Sequence, residues 1–320
     1  MRVLITGLGG FAGGHLADHL AAATDWRLWG TVHPAGDDQP LRAAAEALPV
    51  DLLDAGAVHR VLDQVAPDLV FHLAGQSFVP AAWRDPWATF EANVRMQLNL
   101  LTAMIDRGRP LRLVAVTSNE VYGAGPAERD GLSDERAPLA PLNPYAVSKC
   151  AQDLLAGQYA ASHALDVVRV RPFTHIGPRQ SDRFVSASFA RQVAEVEAGL
   201  RAEIRVGNLD AQRDFTDVRD IVRGYRLAAA HGARGAVYNL GSGVQRSIGE
   251  LLAALRAEAH VTVPVTVDPD LLRPEDIGRA VCDASLAARA LGWRPEVRWE
   301  DTLHHILDDW RTRVAAPAGA

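Results

Sequence analysis

"RVLITGLGGFAGGHLADHLAAA" (Arg2–Ala23) decides how the rest of the chain is read. The run Val3–Ile5 is apolar and largely β-branched, which predicts a buried strand. From Phe11 onward the apolar residues return at helical spacing, which predicts a helix from about Phe11 to Ala23. Between strand and helix lie Gly7, Gly10 and Gly13. Gly7 permits a tight turn, Gly10 lets the backbone approach a pyrophosphate, and Gly13 lets helix and strand pack closely. The helix start offers unpaired N–H groups and a positive dipole end to phosphate. Strand, glycine turn and helix in that order are the context in which such a pattern indicates dinucleotide binding.

The alternation continues outward from this unit. "WRLWGTV", "LPVDL", "DLVFHLA", "LRLVAVTS" and "LDVVRVRP" read as strands. Helical patterns over "AGAVHRVLDQV", "WATFEANVRMQLNLLTAMIDRG" and "PYAVSKCAQDLLAGQYAASHA" separate them. Near-continuous apolar strands between helices predict an α/β fold, a Rossmann-type doubly wound parallel sheet. From Phe173 polar, arginine-bearing loops take over, which predicts a smaller C-terminal substrate-binding lobe. The division expected is a dinucleotide-binding domain over 1–172 and a lobe over 173–212 and 244–312. The stretch 213–243 rejoins the main sheet through "VRDIVRGYRLAAAHG" and "GAVYNLGSG", and 313–320 forms a loose tail.

Bulk properties narrow the function. The chain has 320 residues, a formal net charge of -6 and a pI near 6.0, with no basic block, which argues against a nucleic-acid partner. Cys150 and Cys282 are far apart and form no CxxC, so neither a disulfide framework nor a metal site is expected. Apolar runs are broken by charge well before about 18 residues, so no membrane span is expected. A strand at the N-terminus in place of a signal peptide points to a cytoplasmic protein. His15 and His19 share a helix face, but no third metal ligand accompanies them.

The chemistry gathers at two places. "TSNEVYG" (Thr117–Gly123) follows a buried strand, where open α/β sheets place their sites, and offers Ser118, Asn119 and Glu120. "NPYAVSK" puts Tyr145 and Lys149 four residues apart on one helix face. An ammonium about 4 Å from a phenol would stabilise the phenolate and lower the tyrosine's pKa. Ser118 would hold the same substrate oxygen from the sheet side. On the cofactor side, His33 follows the second strand and would meet a 2′-phosphate, or else is a surface loop histidine. Asp51 follows the third strand and would accept from the adenine amino group, or else cap the next helix. NAD and NADP stay open at this point.

In order and spacing, "TGLGGFAG", "VFHLAGQSFV", "TSNEVYG", "PYAVSK" and "RPFTHIGPRQ" resemble the landmarks of the extended short-chain dehydrogenases/reductases, nucleotide-sugar epimerase/dehydratase branch. "FVSASFARQVAEVEAG", "VGNLDAQRDFTDVRDIVRGY" and "LRPEDIG" resemble its GDP-sugar subgroup. The resemblance covers nearly the whole chain. It implies bound NAD or NADP, hydride transfer at C4 of a GDP-linked sugar, and a homodimer. It implies cofactor contacts from Gly7, Gly10, Phe11 and Gly13, from Leu52 beside Asp51, and from Leu73, Ala74 and Gln76 after the fourth strand. Tyr145 and Lys149 would also touch the cofactor. Substrate contacts are implied for Asn119, Thr174, His175 and Arg179, and for Arg213, Arg273 and Glu275. Two positions depart from the family pattern: Thr174 stands for an asparagine, and Gly75 for an alanine.

The reaction is expected to be reduction of a 4-keto-6-deoxy GDP-sugar, with Ser118, Tyr145 and Lys149 in catalytic roles. A 4,6-dehydratase or an epimerase with tightly bound cofactor is the alternative, and a dehydratase would use Glu120 as the C5 base, or as base and acid in turn. Asn119 tips the balance, because an amide cannot serve as general acid. A non-catalytic NAD(P)-binding regulator on the same fold would have no need of Ser118, Tyr145 and Lys149 together.

Overall fold

In Val3–Ile5, Leu69–Phe71 and Leu113–Val116 no polar residue interrupts the apolar run, so each of these strands must be covered on both faces. The computed structural model describes residues 1–36, 45–123, 132–271 and 281–316. The chain runs β1 (Arg2–Thr6), α1 (Phe11–Ala23), β2 (Arg27–Val32), β3 (Glu46–Pro49), α2 (Ala55–Val65), β4 (Leu69–His72), α3 (Val79–Arg84), α4 (Pro86–Arg107) and β5 (Arg112–Val116). A 3₁₀ turn over Asn119–Tyr122 follows. Then come β6 (Leu132–Ser133), α5 (Pro144–Ser162), β7 (Asp166–Pro172), β8 (His175–Ile176), α6 (Val185–Glu197), β9 (Ile204–Val206), β10 (Gln212–Asp214) and β11 (Thr216–Asp217). The rest is α7 (Val218–His231), β12 (Val237–Leu240), β13 (Gln245–Ser247), α8 (Ile248–Ala257), β14 (Val265–Val267), β15 (Val281–Cys282), α9 (Ser285–Leu291) and α10 (Trp299–Ala315).

The main sheet has the order β12-β7-β5-β4-β1-β2-β3, and every pairing in it is parallel. From β1 the chain builds outward through β2 and β3, then returns to lay β4, β5, β7 and β12 on the other side. The direction of winding therefore reverses between β1 and β4, where Thr6 pairs with His72. That reversal opens a crevice at the carboxyl ends of the strands, the place where doubly wound sheets bind their ligands.

Two apolar cores cover the sheet. One holds Leu16 and Leu20 of α1, Ile221 and Tyr225 of α7, and Trp293. The opposite one holds Val58 and Leu62 of α2, Leu100 and Met104 of α4, and Ala156 of α5. A third core, Phe189, Val193, Leu251, Leu255, Ile306 and Leu307, joins α6, α8 and α10. Helix ends follow their sequence signals: Asn143 caps α5 through Ala146 N, and Gly108 closes α4 in the left-handed region at φ 57°.

Two boundaries differ from expectation. The third strand ends at Pro49, earlier than the "LPVDL" reading, because Asp51 already turns the chain by accepting from Leu53 N at 2.9 Å. Helix α10 runs to Ala315, into the stretch read as a loose tail, since Leu303, Ile306 and Leu307 anchor it to the third core. Among the described residues no helix is long and apolar enough to cross a membrane.

Candidate active site

The turn from β1 to α1 forms a cradle made of backbone. Gly7 sits at φ 74°, and a Cβ there would come 2.9 Å from Ala74 Cα. A Cβ on Gly13 would run into the Gly7 carbonyl oxygen. Both glycines are therefore required by packing, and the space they leave lies at the N-terminus of α1. No side chain caps that terminus, so its first N–H groups have no partner from the Gly10 cap. Phe11 opens the helix, and its ring lies parallel to His175 with centroids 6.0 Å apart.

The other cofactor candidates fall around the same crevice. Leu73 N donates to Thr6 O at 3.3 Å and Ala74 N to Thr6 Oγ1 at 3.2 Å, which ties the end of β4 to β1. Gln76 N donates to Asn93 Oδ1 at 2.8 Å. Leu52 is buried, and its carbonyl accepts from Asn99 Nδ2 at 2.9 Å. His33 is exposed at the end of β2, with Nδ1 accepting from Ala35 N. Asp51 is exposed and closes its own turn, while the cap of α2 is Asp54, which accepts from Gly56 N at 2.8 Å.

The catalytic candidates come together. Ser118, two residues past β5, accepts from Glu120 N at 3.2 Å, and its hydroxyl shares a hydrogen bond with the Tyr145 phenol. Lys149 is buried, its Nζ 5.9 Å from the Tyr145 ring centre and donating to Val116 O at 3.3 Å. Burial pulls this lysine down to about 8. Tyr145 behaves opposite to expectation. Burial raises its pKa well above the usual tyrosine value; the Ser118 bond offsets part of that, and the Glu120 charge adds to it. The direction differs from the expected lowering because the phenol has left water, and loss of solvation is the largest influence on it.

Glu120 is half-buried and accepts from Asn143 Nδ2 at 3.0 Å. Asn119 beside it is buried. Asn143 thus does two jobs, capping α5 with its oxygen and holding Glu120 with its nitrogen. Asn93 is a residue that sequence reasoning missed. Fully buried on α4, it donates to Gln76 O at 3.0 Å and to Ser148 Oγ at 2.8 Å. It locks the loop after β4 to the catalytic helix. A Cβ on Gly75 would meet Asn93 Oδ1 at 2.8 Å and approach Lys149 Nζ at 3.6 Å. Thr89 and Gln97, four residues to either side, are buried with it, so the helix buries a polar stripe that the sequence shows only as i,i+4 spacing.

The lobe candidates divide. Thr174 O accepts from Thr216 N at 2.9 Å, joining β8 to β11 and setting Thr174 and His175 beside the cofactor turn. Arg213 lies half-buried on β10, donating to Gln212 O at 2.7 Å. Arg179 departs from expectation. Its guanidinium donates to His15 Nδ1 at 2.8 Å and pairs with Asp18 at 2.9 Å, both on α1. The reason is the turn after β8, where Arg179 adopts φ 72° and its N–H donates to Asp309 at 2.7 Å. These residues line a pocket of about 520 Å³ with His19 and Arg219. Arg273 and Glu275 lie outside the described residues.

This arrangement has known relatives. Residues 4–306 match the family model described as GDP-mannose 4,6 dehydratase. The chain is 38% identical to GDP-6-deoxy-D-mannose reductase of Pseudomonas aeruginosa, over 98% of each chain. The solved structure of RMD from Pseudomonas aeruginosa complexed with NADPH aligns with a TM-score of 0.85, covering 98% of this chain and 100% of that one at 38% identity. The UDP-glucose 4-epimerase of Thermus thermophilus in complex with NAD aligns with a TM-score of 0.85 at 29% identity, over 97% of this chain and 99% of that one.

Proposed function

This chain belongs to the GDP-mannose 4,6-dehydratase family of extended short-chain dehydrogenases/reductases, and from that membership we propose that it reduces a 4-keto-6-deoxy GDP-sugar at C4. The observation that carries the proposal is the gathering of Ser118, Tyr145 and Lys149 beside an amide at position 119. A reduction needs a phenol ready to give its proton. Dehydration needs a second acid, and Asn119 has none to give.

The residues present fit a dinucleotide. The cradle at Gly7 and Gly13 and the uncapped start of α1 suit a pyrophosphate. We propose NADP(H) over NAD(H), because β2 ends in Thr31 and Val32 and is followed by His33, with no carboxylate at those three positions for the ribose hydroxyls, and the Pseudomonas relative was solved with NADPH. When bound, the nicotinamide supplies the hydride for the sugar carbonyl.

The chain's own residues then act as follows. Ser118 orients the carbonyl oxygen by hydrogen bond, and the Tyr145 phenol passes its proton to the alkoxide that forms on that oxygen. Burial keeps Tyr145 protonated until this moment. Lys149, whose hydrogen bond among the described residues goes to a carbonyl, stabilises the resulting phenolate and meets the cofactor ribose. Asn93 and Asn143 hold the loop and the helix in register. Arg213 would bind the diphosphate, and Arg273 and Glu275 are retained as further substrate contacts in the lobe. A second copy docking on α4 and α5, where Trp87, Val147 and Leu154 are exposed, would give the homodimer, and light scattering would measure it.

The assay is stoichiometric. With a 4-keto-6-deoxy GDP-sugar, one NADPH should be oxidised per product formed, and none without the sugar. Glu120 lies near enough to Tyr145 to raise its pKa, which is what a dehydratase would also show. Release of a 4-keto-6-deoxy product from a GDP-hexose with no added nicotinamide would establish that second reading and end the first.

A further inference from the structure

We propose that Tyr122, through its phenol hydroxyl, is a positioning residue that sets Ser118 against Tyr145. The proposal rests on the reductase reading above and adds to it a residue that acts without touching the sugar.

Ser118 and Tyr145 serve one substrate oxygen but belong to different elements. Ser118 caps the 3₁₀ turn after β5, and Tyr145 stands in the first turn of α5. The 3₁₀ turn is closed on itself. Val121 N donates to Ser118 O at 3.4 Å, Glu120 N to the Ser118 hydroxyl at 3.2 Å, and Gly123 N to Glu120 O at 3.2 Å. A displacement at Tyr122 is therefore passed back through these bonds to Ser118.

Tyr122 ties that turn to the catalytic helix by a buried path. Its hydroxyl accepts from Arg171 Nη1 at 2.9 Å and donates to Asn239 Oδ1 at 2.7 Å. Arg171 donates to Asp153 through Nε at 3.0 Å and through Nη2 at 2.6 Å. Asp153 lies one turn beyond Lys149, on the helix that carries Tyr145. All four side chains are buried. A guanidinium forked onto one carboxylate has little freedom, and bonds to a charged group are roughly twice as strong as neutral ones. Burial pushes the Tyr122 phenol up to about 12, so it keeps the proton that it donates to Asn239.

Two other contacts join the turn to α5, and each grips less firmly. The Cys150 thiol, a weak donor, lies 3.6 Å from Val121 O. Asn143 holds Glu120 by a half-buried side chain whose rotatable bonds leave the backbone slack. Tyr122 grips through a rigid ring, packed beside Phe173 with centroids 6.3 Å apart. Removing its hydroxyl takes a donor from Asn239 and an acceptor from Arg171 in the interior, where lost partners are costly, so the turn shifts to replace them. A misplacement of about 1 Å at a reacting group can lower the rate about 100-fold.

NADPH turnover on a 4-keto-6-deoxy GDP-sugar by wild type, Tyr122→Phe, Ser118→Ala and the double variant tests this, each assayed where its thermal melt shows it folded. Phenylalanine keeps the ring and its packing. In the wild-type background Tyr122→Phe should lower kcat by about 10- to 100-fold, with KM changed less than about 2-fold. In the Ser118→Ala background the same substitution should cost less than about 3-fold, because the group it positions is gone. A purely structural role would cost as much in either background. Equal losses in the two backgrounds, a Tyr122→Phe protein as active as wild type, or a Ser118→Ala protein as active as wild type would overturn the positioning role while leaving the reduction itself standing. A wild-type protein that oxidised no NADPH on the keto sugar would overturn both.

Discussion

Lys149 and Arg171 are both buried beside α5, and the fold treats them in opposite ways. Arg171 meets Asp153 at 2.6 and 3.0 Å and the Tyr122 hydroxyl at 2.9 Å, and Arg169 adds a further bond to Asp153 at 3.0 Å. Burial alone would pull Arg171 down, but the Asp153 bonds outweigh it and hold the guanidinium above its ordinary range. Lys149, one turn before Asp153, donates to a carbonyl at 3.3 Å and drops to about 8 under burial. A charge paired within the chain is scaffold, joining α5 to β7. A buried charge held only by a carbonyl costs the protein stability, and a ligand that supplies Lys149 with further acceptors would offset that cost.

The largest effect expected lies on the scaffold side. Asp153→Ala leaves the buried Arg171 and the half-buried Arg169 without their shared carboxylate and should cost about 3–5 kcal/mol in denaturant unfolding. A loss below about 1 kcal/mol would show that the pair is not scaffold, and the contrast would fall. On the ligand side, Tyr145→Phe should leave stability and NADPH binding near wild type and reduce kcat by about 100- to 10,000-fold. Unchanged turnover would favour a binding protein over an enzyme.

Acid should act through a third kind of buried group, histidines held neutral. Burial takes His15 to about 4, with the nearby Arg179 adding to the effect, and takes His72 to about 3, with Lys149 adding to it. Each folded value lies below the unfolded one, so as pH falls from about 6.5 the unfolded chain takes up protons first. Stability should decline toward pH 4, with a slope of up to about 1.4 kcal/mol per pH unit for each histidine. Circular-dichroism melts across that range would show it, and His15→Asn should flatten the slope by about one proton. A flat profile would contradict the assignment. The smallest effect belongs to the cap: Asn143→Ala should cost about 1 kcal/mol, and Asn143→Asp should retain the cap while setting a second carboxylate against Glu120. Equal stability of all three proteins would deny Asn143 its structural role.

Much of this was legible in the sequence where pattern is local. The Gly7–Gly13 turn, helix α1 from Phe11 to Ala23 and the i,i+4 placement of Tyr145 and Lys149 are set by neighbours along the chain. What was not legible depends on contacts over long separations. Arg179 looked like its fellow arginines until the turn after β8 carried it to His15 and Asp18. The direction of the Tyr145 shift could not be read from a four-residue spacing, because it follows from how completely α5 is covered. Asn93 carries no motif, and its partner Ser148 is 55 residues away.

Thermal unfolding of wild-type protein and Lys149→Met, each with and without NADPH at pH 7, tests the central contrast most directly. Methionine removes a buried charge with a similar stem, so the ligand-free variant should be the more stable by roughly 1–3 kcal/mol. The folded pKa of Lys149 lies below its unfolded value, so wild type gains stability as pH rises from about 8 toward 10.5, and the variant's advantage should vanish over that range. NADPH should raise the wild-type midpoint much more than that of the variant, because the ligand supplies the partner that Lys149 lacks. A ligand-free variant less stable than wild type, with an undiminished NADPH shift, would show that Lys149 is scaffold like Arg171 and would contradict the account.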